Sequence, residues 1–132
     1  RPGLATVPTN LSGVRQMIKA LRKGEAVGLL PDQVPPEGQG QWLPFFGRPA
    51  YTMTLAARLA QQTGACVLMV WGERLPGGDG FRVHVQPLPG PLAADTVQAA
   101  TQINQALEGL ILRCPGQYLW GYARYKQPRQ AA

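Results

Sequence analysis

Residues 26–33 read Ala26-Val27-Gly28-Leu29-Leu30-Pro31-Asp32-Gln33, an apolar run that ends on an imino acid, a carboxylate and an amide. An unbroken apolar run of this length predicts a strand over Glu25 to Leu30, buried on both faces. Pro31 ends it, and the irregular chain beyond a strand end is where α/β proteins usually place ligand groups. The following segment, Pro31 to Gly47, carries Pro35-Pro36, Gly38 and Gly40 and reads as one long shaped loop. Trp42, Phe45 and Phe46 give that loop enough apolar surface to be tied down, so it is expected to be functional rather than disordered.

Outward from this stretch, helices and strands alternate. Residues 1–10 form an irregular lead-in, with Asn10 or Ser12 available as a helix cap. Leu11, Val14, Met17, Ile18 and Leu21 recur at helical spacing, and Arg15, Lys19, Arg22 and Lys23 fall mainly on other faces, so Leu11 to Lys23 reads as an amphipathic helix stopped by Gly24. Its basic face is either simply solvated or a contact for anionic lipid. Ala50 to Thr63 reads as an Ala-rich helix stopped by Gly64, and Ala65 to Trp71 as a second apolar strand. A Gly77-Gly78-Asp79-Gly80 turn then leads into Phe81 to Gln86, whose alternation makes it a hairpin partner. A long helix is expected from Asp95 to Arg113, burying Val97, Ala100, Ile103, Leu107, Leu110 and Ile111, and is ended by Pro115-Gly116. Gln117 to Tyr125 reads as an aromatic strand, with a frayed tail over residues 127–132. The fold class is α/β, a sandwich with a mixed sheet and flanking helices, in one domain.

Composition bounds the function classes. The 132 residues are 45% hydrophobic and 15% charged, which excludes a disordered chain. Thirteen Lys and Arg against seven Asp and Glu give a net charge of +6, favouring anionic partners. The basic residues are dispersed without a long basic run, so no nucleic-acid partner is expected. Cys66 and Cys114 lie in apolar segments and read as small buried hydrophobes in a reducing compartment. No signal peptide or membrane-spanning apolar run is visible, and a chain that begins at Arg1 is expected to be a piece of a longer protein.

Five residues are candidates for ligand contact. Asp32 and Gln33 either form a turn or hydrogen-bond a polar ligand at the strand edge. Arg48, before Pro49 at the expected entry to the Ala-rich helix, is either a surface cation or part of an anion site. Arg124 and Lys126, sharing a face of an extended segment, either clamp a phosphate or guard a sheet edge. Trp42, Phe45 and Phe46 either pack the loop or line a site for an apolar chain. His84, the only histidine, shares a strand face with Arg82 and Gln86 and reads as a partly exposed polar residue rather than a catalyst. Residue 89 is Pro, so His84 opens no His-x4-Asp/Glu pair. Serine-elbow, phosphate-loop, dinucleotide and metal-cluster motifs are absent.

The ordered set of Ile18-Lys19-Ala20-Leu21-Arg22-Lys23-Gly24-Glu25, Leu30-Pro31-Asp32-Gln33, Pro44-Phe45-Phe46-Gly47, Leu55-Ala56, Cys66-Val67-Leu68-Met69-Val70, Pro115-Gly116-Gln117-Tyr118-Leu119-Trp120 and Arg124-Tyr125-Lys126 resembles the C-terminal portion of the lipid A biosynthesis (lauroyl/myristoyl) acyltransferase family, over roughly residues 11 to 126. The resemblance implies an acyltransferase that moves a fatty acyl group from an acyl-carrier-protein thioester to a hydroxyl of a phosphorylated glycolipid, a lipid A precursor. It also implies work at an anionic membrane surface, on the cytoplasmic face of the bacterial inner membrane, without metal or redox cofactor. The base in this family belongs to a His-x4-Asp/Glu motif that lies before the matched region, so no catalytic residue is expected in this chain, and the chain alone is expected to be inactive. Pro31-Asp32-Gln33 corresponds in position to the Pro-Glu-Gly block of related glycerolipid acyltransferases, which implies substrate-binding roles for Asp32 and Gln33, extended to Arg48; the C-terminal match extends such a role to Arg124 and Lys126. The family pattern has His and Arg after the Trp, where this chain has Gly121-Tyr122-Ala123 before Arg124. A C-terminal portion would leave apolar surface uncovered, so self-association is expected. A non-enzymatic module for anionic lipid or phosphate, and an acyltransferase with another lipid acceptor, remain the alternatives.

Overall fold

The computed structural model describes residues 2–130. Its main elements run α1 (Leu11–Arg22), β1 (Gly40–Phe45), β2 (Arg48–Met53), α2 (Leu55–Thr63), β3 (Leu68–Arg74), β4 (Phe81–Pro87) and α3 (Thr96–Arg113). The α/β character holds, with the strands set in two antiparallel hairpins, β1–β2 and β3–β4, rather than one mixed sheet. Side-chain caps begin α1 and α3. Asn10 Oδ1 accepts from Gly13 N–H at the start of α1, and Asp95 Oδ2 accepts from Gln98 N–H at the start of α3.

The stretch from Gly40 to Met53 departs from the expected loop and helix. It forms a hairpin in which Phe45 pairs with Arg48 around a Phe46-Gly47 turn, with φ of 48° and 73° at the two turn residues. Positive φ at both central positions is the two-residue hairpin geometry that matches strand twist. Pro44 and Pro49 face each other in this ladder. Hydrogen-bonded and non-bonded pairs alternate, and Phe45–Arg48 is the bonded pair that brackets the turn, so the two prolines occupy a pair that exchanges no N–H bonds. Proline argues against a strand only where its N–H is needed. Arg48 therefore begins a strand, and α2 starts only at Leu55.

The expected strand over Glu25 to Leu30 does not form. Among the described residues no strand pairs with it, and Leu30 is 64% exposed. An apolar run specifies a wish for burial but supplies no partner. Gln117 to Tyr125 is likewise a series of turns rather than a strand, and Cys66 is exposed rather than buried. The tail is held as far as Arg129, whose carbonyl accepts from Glu37 N–H at 2.9 Å; residues 131 and 132 lie outside the described residues.

The core forms where β1 lies on α3. Leu43 packs with Ala57, Ala99, Ala100 and Ile103, and Phe45 with Ala50 and Ile111. Val97, expected in the buried stripe, is 42% exposed, while Asn104 is fully buried. Asn104 Nδ2 donates to Pro44 O and to Thr52 Oγ1, both at 3.1 Å. Thr52 Oγ1 also accepts from Arg124 Nη2 at 2.8 Å and donates to Ala50 O at 3.0 Å. Arg124 Nη1 donates to Tyr51 O at 2.8 Å. One hydroxyl thus joins β2, α3 and the C-terminal segment, with its donor and both acceptor positions used.

The second hairpin forms over the expected stretch, with His84 partly exposed as read. Its alternation is as read, but Leu68, Val70, Phe81, Val83 and Val85 are 54–66% exposed. The other face turns toward α3: Met69 is buried, and Arg113 of α3 donates from Nη1 to Gln86 Oε1 at 2.9 Å. Alternation tells which side chains share a face, and a neighbouring element decides which face is inside. On the inner face the His84 ring stacks on Trp71 at 4.4 Å, and Nε2 meets Glu73 Oε2 at 2.8 Å. A carboxylate only accepts, so Nε2 carries the proton.

Two predictions follow from these contacts. Thr52→Val leaves buried guanidinium and amide N–H groups without their acceptor, so it should cost roughly 1.5–3 kcal/mol in denaturant unfolding, while Thr52→Ser should cost about 1 kcal/mol for the lost methyl. Equal losses would remove the hydroxyl from its central role. The hydrogen bond from His84, aided by the charges of Arg82 and Arg113, holds the Glu73 carboxyl below its ordinary 4.5. A depressed carboxyl stabilises the fold above its unfolded value and loses that contribution as pH falls through the folded one. Glu73→Gln should therefore flatten part of the decline in unfolding midpoint below about pH 4.5 and change its slope little above it.

Candidate functional site

The chain has four tyrosines, and each uses its hydroxyl to hold loop or strand backbone or the Asp32 carboxylate. Tyr51 OH accepts from the N–H groups of Gly38 and Gly40 at 3.0 and 3.2 Å. Tyr118 OH donates to Asp32 Oδ2 at 3.0 Å, and Tyr122 OH accepts from Val34 N–H at 2.8 Å. Tyr125 OH donates to Phe45 O at 2.6 Å. The loop after Pro31 is thereby pinned at intervals by tyrosines from β2 and from the C-terminal segment.

That segment is itself anchored at several points. Gln117 bridges the backbone of Arg74, accepting from its N–H at 2.7 Å and donating to its carbonyl at 3.0 Å. Trp120 Nε1 donates to Pro115 O at 2.7 Å, and Arg124 reaches into the hairpin as described. At the turn of that hairpin, Glu108 Oε1 accepts from Phe46 N–H at 2.7 Å.

Between the segment and the end of β1 lies a cavity of about 340 Å³. Its walls are mainly aromatic: Phe45, Tyr118, Trp120, Tyr122 and Tyr125. Arg124 and Lys126 line it as well. Three cations each sit over a ring here. Arg48 lies 4.3 Å from the Tyr125 centroid, Lys126 lies 4.9 Å from that of Tyr122, and Arg124 lies 5.0 Å from that of Phe45. For Arg48 and Lys126, which are exposed, such a contact holds the cation in place for about 0.5–1 kcal/mol without neutralising it.

The structure thus brings together four of the five candidate residues. Asp32 joins the cluster through Tyr118, and Arg48 and Lys126 stand exposed over the rings. Gln33 is exposed, with its backbone N–H bonded to Leu30 O, and is not drawn in by any side-chain bond described. Arg48 does not stand at a helix N-terminus, because the residues after it form β2. Arg124 and Lys126 share no strand face: Arg124 is 4% exposed and turned inward, whereas Lys126 is exposed.

The electrostatics of the cluster follow from burial. Desolvation, together with the bond to Asp32 and its negative charge, pushes the Tyr118 hydroxyl well above its ordinary range, so it stays a donor. Desolvation pulls the Arg124 guanidinium below its usual value. Its Nε–H is buried without a partner, and among the described residues no carboxylate pairs with it within ion-pair distance. A cavity with aromatic walls and exposed cations at its edge suits a ligand with an apolar body and an anionic group. Among the described residues no cluster of three His, Cys, Asp or Glu is placed to hold a metal.

Tyr51, Thr52, Asn104, Glu108, Tyr118 and Tyr122 were not among the sequence candidates. The signal available was the density of tyrosine near the C-terminus, which periodicity assigned to a strand. Their role appears only once the loop after Pro31 is seen beside them.

The model for the bacterial lipid A biosynthesis acyltransferases matches residues 2–127. The chain is 33% identical to the lipid A biosynthesis lauroyltransferase of Escherichia coli K12 over 115 residues, which is 86% of this chain and 38% of that protein. It is 34% identical to the lipid A biosynthesis palmitoleoyltransferase of the same organism over 116 residues, 87% of this chain and again 38% of the relative. A lipid A biosynthesis acyltransferase of Shigella flexneri matches to the same extent. The chain spans little more than a third of the length of these curated relatives. With a match over nearly its whole extent, the chain belongs to the bacterial lipid A biosynthesis acyltransferase family.

Proposed function

We propose that this chain is the substrate-binding wall of an enzyme that transfers a fatty acyl group from an acyl-carrier-protein thioester to a hydroxyl of a lipid A precursor. The family supports acyl transfer to lipid A. The observation that carries the wall is the set of three cations seated over aromatic rings around one cavity, with Asp32 bonded at its margin.

In the reaction, the acceptor oxygen attacks the thioester carbonyl, a C–O bond forms and the C–S bond breaks. The hydroxyl proton passes to a base, and the thiolate leaves and is reprotonated. The only histidine here, His84, is bonded to Glu73 and stacked on Trp71 in the β3–β4 hairpin, on elements that do not line the cavity. As the family resemblance implies, the base is assigned to the part of the enzyme this chain does not span. Lys126 and Arg48 meet the phosphate of the acceptor or of the donor arm, Asp32 and Gln33 hydrogen-bond its polar groups, and Arg124 positions the wall.

On this reading the enzyme works against the anionic cytoplasmic face of the bacterial inner membrane, which the net charge of +6 favours. No described helix is long and apolar enough to cross a membrane. The uncovered apolar face of β3–β4 makes the chain by itself self-associate.

The test is acyl transfer by the complete enzyme, with products identified by mass. Lys126→Ala should raise KM about tenfold with kcat largely kept, the size expected for one charge-assisted contact. Asp32→Asn should lower kcat/KM at least as much. Turnover by the 132-residue chain alone would overturn the assignment of the base. In light scattering the chain should grow in mass with concentration, and Val83→Thr with Val85→Thr should reduce that growth; a concentration-independent monomer would remove the self-association.

A further inference from the structure

We infer that the outward face of α1 docks on an anionic phospholipid bilayer. The inference locates the membrane contact proposed above on a particular surface, and it needs neither donor nor acceptor chemistry.

From Leu11 to Lys23 there is no acidic residue, while Arg15, Lys19, Arg22 and Lys23 are all exposed. At about 100° per residue, Leu11, Arg22, Arg15 and Lys19 fall within an arc of about 80°, with Lys23 beside it. Gly13 and Met17, the buried positions of the helix, lie on the opposite side, and α1 packs against α2. Gly13 admits the carbonyl of Pro8 so closely that an added Cβ would lie 1.7 Å from that oxygen, so the lead-in covers this side and leaves the basic arc open.

Simple helix chemistry does not account for the arc. Cations in the last turn complement the helix dipole, which explains Lys19 and Arg22. It does not explain Arg15 near the other end, nor the lack of any acid in the first turn. Arg15–Lys19 and Lys19–Lys23 are like-charge pairs four residues apart, which weaken a helix in water. None of these four cations joins an ion pair among the described residues. Leu11, 77% exposed, stands in the same arc. Cations flanking an exposed apolar side chain on one face of a short helix are the pattern of an interfacial contact, in which anionic headgroups neutralise the charge and the apolar side chain enters the boundary.

The experiment is density-gradient flotation of the chain with vesicles of phosphatidylglycerol and phosphatidylethanolamine, or of phosphatidylcholine alone. Flotation separates bound chain from self-associated material. Binding should be confined to the anionic vesicles and weaken with salt. Each cation near such a surface contributes about fivefold, so Arg15→Gln with Lys19→Gln should weaken binding about 25-fold. Leu11→Ser should weaken it further. Arg74→Gln with Arg129→Gln removes the same charge elsewhere and should have little effect. Equal loss in the two double variants, equal binding to phosphatidylcholine, or loss with Phe81→Ser in place of the α1 variants would each overturn the proposal. So would tighter binding to duplex DNA at the same salt. Failure here leaves the acyl-transfer reading intact, because that reading is judged by turnover.

Discussion

The hydroxyl of Thr52 is where three remote parts of the chain meet. It lies on a strand, accepts from a helix through Asn104 and from the C-terminal segment through Arg124, and returns its own proton to Ala50 O. A buried guanidinium is tolerable only if its N–H groups are met, and here neutral oxygens of β2 meet two of them. Because Arg124 is fixed, the tyrosines on either side of it are fixed, and they in turn hold the loop after Pro31. The cavity is thus built outward from one buried polar contact rather than from an extended sheet.

This arrangement separates two kinds of cation that look alike in sequence. Arg124 is turned inward and works through what it positions. Arg48 and Lys126 are exposed, and the rings of Tyr125 and Tyr122 beneath them limit their freedom without reducing their charge. A ring-supported cation has lost part of its conformational entropy before a ligand arrives, so less is lost on binding.

Local chemistry was well legible in the residues. Asn10 and Asp95 cap helices, Gly64 ends one with φ of 70°, and the alternation of Phe81 to Gln86 makes a strand. What escaped depended on neighbours. Pro44 read as loop and Pro49 as the entry to a helix because the ladder position that tolerates both is defined only by their pairing. The His84 face was read as partly exposed and is so, but that it turns toward α3 depends on a neighbour the alternation does not name. Arg48 and the pair Arg124 and Lys126 were singled out on a helix end and a strand face that do not exist. Asp32 was singled out from its place after an apolar run that is not a strand, and the structure ties it to Tyr118. Tyr118 and Tyr122 could not be found locally, since their partners lie at the other end of the sequence.

That last separation has a kinetic meaning. Both hairpins close over short stretches of chain, whereas Tyr118 meets Asp32 across 86 positions and Tyr122 meets Val34 across 88. Closing so long a loop forfeits more chain entropy than closing a hairpin, and the contact repays it only after both ends are in place. The hairpins and α3 therefore form first, and the loop after Pro31 is the last region to order. By the same reasoning it opens first, so amide protons of the pinned loop exchange through local openings that leave the β1–β2 ladder and its contact with α3 intact.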